Sequence, residues 1–131
     1  MAVVVGVAIV EDGRVLAARR ADPHRLAGRR ELPGGKVEPG EEIEAAAVRE
    51  ISEELGCHVE VIGAVEGTTQ IDDDLVLTVV LARLAAGDPV PGEHDAVRWL
   101  RAGELDEITW AEADVPFLDR LRDLPELRAD D

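Results

Sequence analysis

Apolar and polar positions change their period several times along this chain, and each change marks a predicted element. Ala2 to Val10 is a nearly continuous, Val-rich apolar run, the pattern of a strand buried on both faces. Glu11-Asp12-Gly13 then reads as a hairpin turn, with Arg14 to Arg20 returning as a second strand. Periodicity is lost over residues 21 to 30, ADPHRLAGRR, where Pro23 and Gly28 interrupt any regular element. A helical period runs from about Glu41 to Leu55: at roughly 100° per residue, Ile43, Ala47, Val48, Ile51 and Leu55 share one apolar arc that can pack on a sheet. Gly56 stands where a left-handed C-terminal cap is wanted.

Beyond that helix, His58 to Thr69 and Leu75 to Leu84 are β-rich runs joined by Gln70-Ile71-Asp72-Asp73-Asp74. The aspartates lack the interior Gly and closing Glu of a calcium loop, so an acidic hairpin turn is expected. Residues 86 to 92 form a loop, Asp95 to Leu100 a short strand, and Ala102 to Glu107 a small helix. A last helix, roughly Ala113 to Asp123, sets Val115, Leu118 and Leu121 at helical spacing for packing. The order of elements predicts an α/β fold in one domain over residues 1–124, and then an acidic tail, Pro125 to Asp131, that is expected to fray.

Composition narrows the function. A chain of 131 residues with 46% hydrophobic content supports one core, built mainly from Val, Leu, Ile and Ala because aromatics are only 2%. The net charge of −15 argues against a nucleic-acid polymer or an anionic membrane as partner, since both are polyanions. A single cysteine excludes an internal disulfide framework, and Cys57 with His24, His58 and His94 makes no zinc spacing. No basic segment leading into a long apolar one opens the chain, and no run has the length of a membrane span, so the expected location is cytoplasmic.

The candidate chemistry lies around the central helix. Glu50, Glu53 and Glu54 stand at i, i+3 and i+4 and gather beside its apolar arc, where like charges repel. Arg49 can reach Glu53, but one cation against three carboxylates leaves an excess of negative charge. A hard divalent metal suits that excess, because carboxylate oxygens hold Mg²⁺ while leaving positions open for phosphate and water. A solvated acidic face is the plainer alternative for three glutamates taken alone. Lys36, the only lysine, lies in the glycine-rich entry to the helix; composition bias explains the many arginines, whereas a flexible point charge for phosphate would explain this lysine.

Spacing decides between these alternatives. Gly35, five residues, Glu41, seven residues, then Arg49-Glu50-Ile51-Ser52-Glu53-Glu54-Leu55-Gly56 resembles the Nudix box of the Nudix hydrolase family, matching every fixed polar and glycine position. The one departure is Cys57, where the family usually has a larger aliphatic residue. The resemblance implies an α/β/α sandwich with a mixed sheet and a loop-helix-loop box, and Mg²⁺-dependent hydrolysis of phosphoanhydride bonds, with Mn²⁺ as a possible substitute. It implies metal ligation by Glu50, Glu53, Glu54, the Gly34 carbonyl and Glu93, which lies six residues before Trp99. Glu50 or Glu53 would act as base and Arg49 would orient the carboxylates.

The same resemblance, closest to the MutT branch, implies substrate contacts. Arg20 and Lys36 would hold phosphates, His24 would face the nucleotide, and the backbone of Glu31-Leu32-Pro33-Gly34 would line it. Arg30 stands where many relatives carry Trp, which removes a stacking contact. Asp114 is either a helix cap or the residue that meets the base, and relatives with Asp there resemble pyrophosphatases of CTP and methylated dCTP. A nucleoside triphosphate of cytosine or a modified base is therefore the expected substrate, cleaved to monophosphate and pyrophosphate, with 8-oxo-dGTP as the chief rival. A non-catalytic nucleotide sensor is the competing class, and the oligomeric state stays open between monomer and homodimer.

Overall fold

The computed structural model describes residues 2–20, 29–90 and 94–128, with the backbone alone described at 20 and 94–96. Its spine is β1 (Ala2–Glu11), where Val5 to Val10 are all buried, as the continuous apolar run predicts. A tight turn with positive φ at Asp12 (51°) and Gly13 (77°) reverses the chain into β2 (Arg14–Arg20). Two such residues in succession give a turn whose twist matches the flanking strands.

Among the described residues, seven strands form one mixed sheet in the order β3-β2-β1-β6-β5, with β4 on β1 and β7 on β2. β3 is Arg30–Glu31, β4 Gly34–Lys36, β5 His58–Asp72, β6 Leu75–Ala86 and β7 His94–Leu100. β1 runs parallel to β6 from Ala2 to Ile9 and antiparallel to β4, which pairs Gly34 with Gly6, Gly35 with Val5 and Lys36 with Val4. The acidic hairpin turn is found as expected, and Asp72 Oδ1 accepts the Asp74 N–H at 2.9 Å.

Alternation along β1 separates two cores. Val5, Val7 and Ile9 face α1 (Ile43–Leu55), meeting Ala46, Ala47, Ile51 and Leu55. Ala8 and Val10 face the other way, toward Leu105, Trp110, Phe117 and Leu121. Helical segments thus cover both faces of the sheet, as the expected α/β/α sandwich requires. Fully burying Ile51 and Leu55 contributes about 1.5–3 kcal/mol each. Cys57 is wholly buried in the α1 core, and burial pushes its thiol pKa up. Among the described residues no helix is long and apolar enough to cross a membrane.

Three expectations need correction. The helix begins at Ile43 rather than Glu41, because Glu41 closes a turn over Pro39-Gly40, donating its N–H to the Glu38 carbonyl at 2.9 Å with Gly40 at φ 78°. Ile43 is 41% exposed, and Ala46 takes its place in the core one turn further on. Toward the C-terminus, the expected single helix is a 3₁₀ segment, Glu112–Phe117, leading into α2 (Leu118–Arg122). Pro116 inside the 3₁₀ segment has no N–H for an α-helical bond, and the tighter winding leaves Val115 49% exposed.

The start of the tail is also ordered: Pro125–Arg128 forms a helical turn, α3, and Leu127 is 3% exposed within the core that holds Phe117 and Leu121. Leu127→Ala should therefore lower the unfolding free energy by about 2–3 kcal/mol in urea denaturation. A loss below about 0.5 kcal/mol, as at an exposed position, would return these residues to the frayed tail.

Candidate active site

Arg49, on the second turn of α1, is the centre of the site. Its Nε and Nη2 donate to the two oxygens of Glu41 at 2.8 and 2.9 Å, a forked pairing that fixes the plane of the guanidinium. Nη2 also donates to the Lys36 carbonyl at 3.0 Å. Nη1 is shared between Glu50 Oε1 at 3.1 Å and Glu53 Oε2 at 3.2 Å. One guanidinium thus ties the loop after β4 to the helix and orients two of its carboxylates.

Glu41 is held in turn by the Glu38 N–H, 3.0 Å from its Oε1. The Arg49 hydrogen bond, and after it the Glu38 N–H, lower the Glu41 pKa to about 2, from an ordinary 4.5. Arg49 is shifted upward, chiefly by its bond to Glu41. Glu50 shows the opposite balance: burial raises its carboxyl pKa, against the pull of Arg49. A carboxylate kept in place despite desolvation is typical of a functional position.

Gly35 explains how Glu50 fits. A Cβ at Gly35 would lie 1.6 Å from Glu50 Oε2, so any other residue would displace the carboxylate. At Gly34 (φ 154°) a Cβ would lie 1.9 Å from the Val5 carbonyl, so only glycine lets β4 lie this close to β1. Gly35 lets the Glu50 carboxylate lie against the main chain, and both glycines line a cleft of about 820 Å³. Glu31, Leu32, Gly34, Lys36 and Asp114 all line that cleft. Pro33 does not; it is buried, and its carbonyl accepts the Val7 N–H at 2.8 Å.

Asp114 is 6% exposed, the one buried charged side chain among the described residues. The capping interpretation fails, because Asp114 lies inside the 3₁₀ segment and its Oδ2 accepts the N–H of Leu32 at 2.8 Å. Arg29, Thr69, Ile71 and Glu112 also line the cleft and carried no signal in the sequence. Thr69 Oγ1 is buried with no hydrogen-bond partner among the described residues. Gln70 lines the cleft as well, while its amide donates to the Asp72 carbonyl at 3.1 Å.

The acidic face differs from the expected ligand cluster. Among the described residues, no group of three His, Cys, Asp or Glu side chains is gathered so as to hold an ion. Glu50 and Glu53 converge on Arg49 Nη1, and Glu54 is half-buried on α1. The donor chemistry still fits a hard divalent cation. Glu41, Glu50 and Glu53 share a single guanidinium, which leaves two carboxylate charges beyond what it neutralises, and every donor is oxygen. His24 and Glu93 lie outside the described residues, as does the side chain of Arg20, whose backbone ends β2.

A family model, NUDIX domain, matches residues 1–121. The chain belongs to the Nudix family. This Nudix hydrolase, an enzyme of nucleotide diphosphate bonds, is 42% identical over 118 residues to "Putative 8-oxo-dGTP diphosphatase 2" of Mycobacterium tuberculosis, spanning 86% of this chain and 82% of that one. It is 34% identical over 123 residues to the CTP pyrophosphohydrolase of Escherichia coli, covering 88% and 87% of the two chains. Its fold matches the crystal structure of a MutT NUDIX hydrolase from Burkholderia pseudomallei with a TM-score of 0.79 and 35% identity, covering 91% of this chain and 96% of the other. Nudix hydrolases generally use divalent metal cations.

The Glu41–Arg49 pair also sets an acid limit. With a folded pKa of about 2 against an ordinary 4.5, the pair stabilises the fold fully above about pH 4.5, and this contribution fades as pH falls toward 2. Glu41→Gln should be less stable than wild type at neutral pH, with the gap closing through that window in denaturant titrations. A gap that stays constant down to pH 2 would refute the depressed pKa.

Proposed function

We propose that this Nudix hydrolase is a Mg²⁺-dependent nucleoside triphosphate pyrophosphohydrolase, cleaving an NTP or dNTP to the monophosphate and pyrophosphate. The observation that carries the proposal is the seating of Glu50 behind Gly35 at the wall of a nucleotide-sized cleft, with Lys36 and Asp114 on the same walls. Mg²⁺, with Mn²⁺ as a substitute, would supply charge neutralisation at the phosphoryl oxygens. Glu50, Glu53 and Glu54, the Gly34 carbonyl and Glu93 would be its ligands.

The side chains divide the remaining work. Arg49 aims Glu50 and Glu53 by holding one oxygen of each. Glu50 or Glu53 accepts the proton of the attacking water through its other oxygen. Lys36, exposed on the cleft wall, and Arg20 would hold phosphates, and His24, outside the described residues, would face the nucleotide. Glu31, Leu32 and Gly34, which line the cleft, would contact the nucleoside, while Pro33 supports them from beneath. Monomer and homodimer are both compatible with this arrangement.

For the base, Asp114 favours a donor. One carboxylate oxygen takes the Leu32 N–H, and a carboxylate offers further acceptor sites that suit an exocyclic amino group such as cytosine N4. The CTP pyrophosphohydrolase among its relatives supports this reading. A second reading, 8-oxo-dGTP sanitation, is favoured by the relative at 42% identity, since an oxidised guanine also presents N–H donors to a carboxylate. The intact carboxylate set argues against a non-catalytic sensor, which has no need of a water-activating group.

Pyrophosphate release across a panel of normal and oxidised nucleotides, with and without Mg²⁺, tests these readings together. Glu53→Gln and Glu54→Gln should each lower kcat by about 100-fold or more on every substrate. Wild-type turnover in both variants, with circular dichroism unchanged, would remove the metal assignment. Asp114→Asn should weaken the preference for cytosine nucleotides by about 10-fold, as expected for one lost base contact. An unchanged ranking would leave Asp114 with no part in reading the base.

A further inference from the structure

Two segments beside the cleft run like neighbouring strands of a parallel ladder. The Arg30 N–H donates to the Thr109 carbonyl at 2.7 Å, and the Ala111 N–H donates to the Arg30 carbonyl at 2.8 Å, with Arg30 and Trp110 bridged in parallel. The next rung of such a ladder would take the Leu32 N–H to the Ala111 carbonyl. That carbonyl is already turned into the 3₁₀ segment, where it accepts the Asp114 N–H at 3.0 Å. Asp114 Oδ2 receives the Leu32 N–H in its place, at 2.8 Å. A side-chain carboxylate thus completes the ladder where the main chain leaves it.

This rung matters because Leu32 leads directly into the metal end of the cleft. The Pro33 carbonyl is fixed by the Val7 N–H, Gly34 to Lys36 pair with β1, and the Lys36 carbonyl is held by Arg49. The span from Leu32 to Gly34 is therefore held at its far end by β1 and Arg49, and at its near end by the pairing of Glu31 with β2 and by a residue 82 positions away in sequence. A charge-assisted bond in a buried place is stronger than a neutral one, and its loss leaves the Leu32 N–H without that acceptor.

We propose that Asp114 is a positioning residue for the metal end of the cleft as well as a reader of the base. Its bond to Leu32 holds the main chain where the Gly34 carbonyl serves as a ligand, so base contact and cation affinity are coupled through one carboxylate. This role rests on Gly34 being a metal ligand, as the proposed function has it. Leu32 and Gly34 are two residues apart, so loss of the Asp114 bond would loosen the main chain just ahead of the carbonyl. Coupling of this kind is reciprocal: whatever alters Asp114 alters cation binding, and the bound cation alters how the base is read.

The test uses Mn²⁺ alone as probe, titrated calorimetrically into wild type, Asp114→Ala and Asp114→Asn, with amide hydrogen exchange monitored at Leu32. Asp114→Ala should lose protection at Leu32 and weaken Mn²⁺ binding by about 10- to 100-fold, the effect of removing an outer partner of a metal ligand. Asp114→Asn keeps an oxygen that can accept the Leu32 N–H, so it should recover both Leu32 protection and most of the Mn²⁺ affinity. Should Asp114→Ala fail to fold, Asp114→Leu, closer in volume, carries the same comparison. Wild-type Mn²⁺ affinity in a variant that has lost Leu32 protection would overturn the proposal, and so would unchanged protection at Leu32. If the wild type binds Mn²⁺ and the variants behave as expected while no nucleotide is hydrolysed, the proposed reaction fails and the positioning role stands.

Discussion

The site depends on one guanidinium. Arg49 joins the loop after β4 to α1 through Glu41 and the Lys36 carbonyl, and with its remaining nitrogen it orients Glu50 and Glu53. Without it three carboxylates on neighbouring turns would repel one another and the loop would lose its polar anchor on the helix. Arginine alone serves here, since a lysine ammonium cannot make the forked contact to Glu41 while two further acceptors are held at fixed angles. The opposite shifts of Glu41 and Glu50 arise from the same geometry. Glu41 receives the full fork and a backbone N–H, whereas Glu50 shares one nitrogen and bears the cost of burial.

The sheet makes this arrangement possible. β1 is paired with β6 on one side and with β4 at Val4 to Gly6, so the entry to the helix is a strand rather than a free loop. Glycines at 34 and 35 meet two separate close approaches, one to the Val5 carbonyl and one to the Glu50 carboxylate. The cleft opens along the same strand, so the acidic face and the Asp114 end share one rigid support. Asp114 closes the arrangement from the opposite layer.

Much of this was legible in local patterns. The Val-rich run, the Asp12-Gly13 turn, the period of α1 and the cap at Gly56 were all expected, because each is governed by neighbours within a few residues. The spacing from Gly35 to Gly56 pointed to the family for a similar reason: Arg49, Glu50 and Glu53 lie within about one helical turn of each other, and Glu41 is only eight residues from Arg49. Where local rules competed, periodicity misled. Ile43 fits the apolar arc but stands at the first residue of the helix, and Val115 fits a helical period that Pro116 tightens into 3₁₀ geometry.

By itself, then, the sequence determined the order of elements, the central acidic helix and the family, since all of these rest on short-range periodicity and fixed spacing. Tertiary structure alone decided which residues meet across long separations. Asp114 looks like a helix cap along the chain and becomes a main-chain acceptor only because the 3₁₀ turn diverts the Ala111 carbonyl. Leu127 looks like part of a polar tail and is buried only because the helices beyond β7 leave a place for it beside Phe117 and Leu121. Thr69 and Arg29 join the cleft wall through strand pairing and loop path. Contacts of this kind depend on how layers pack, and no local pattern in the chain encodes them.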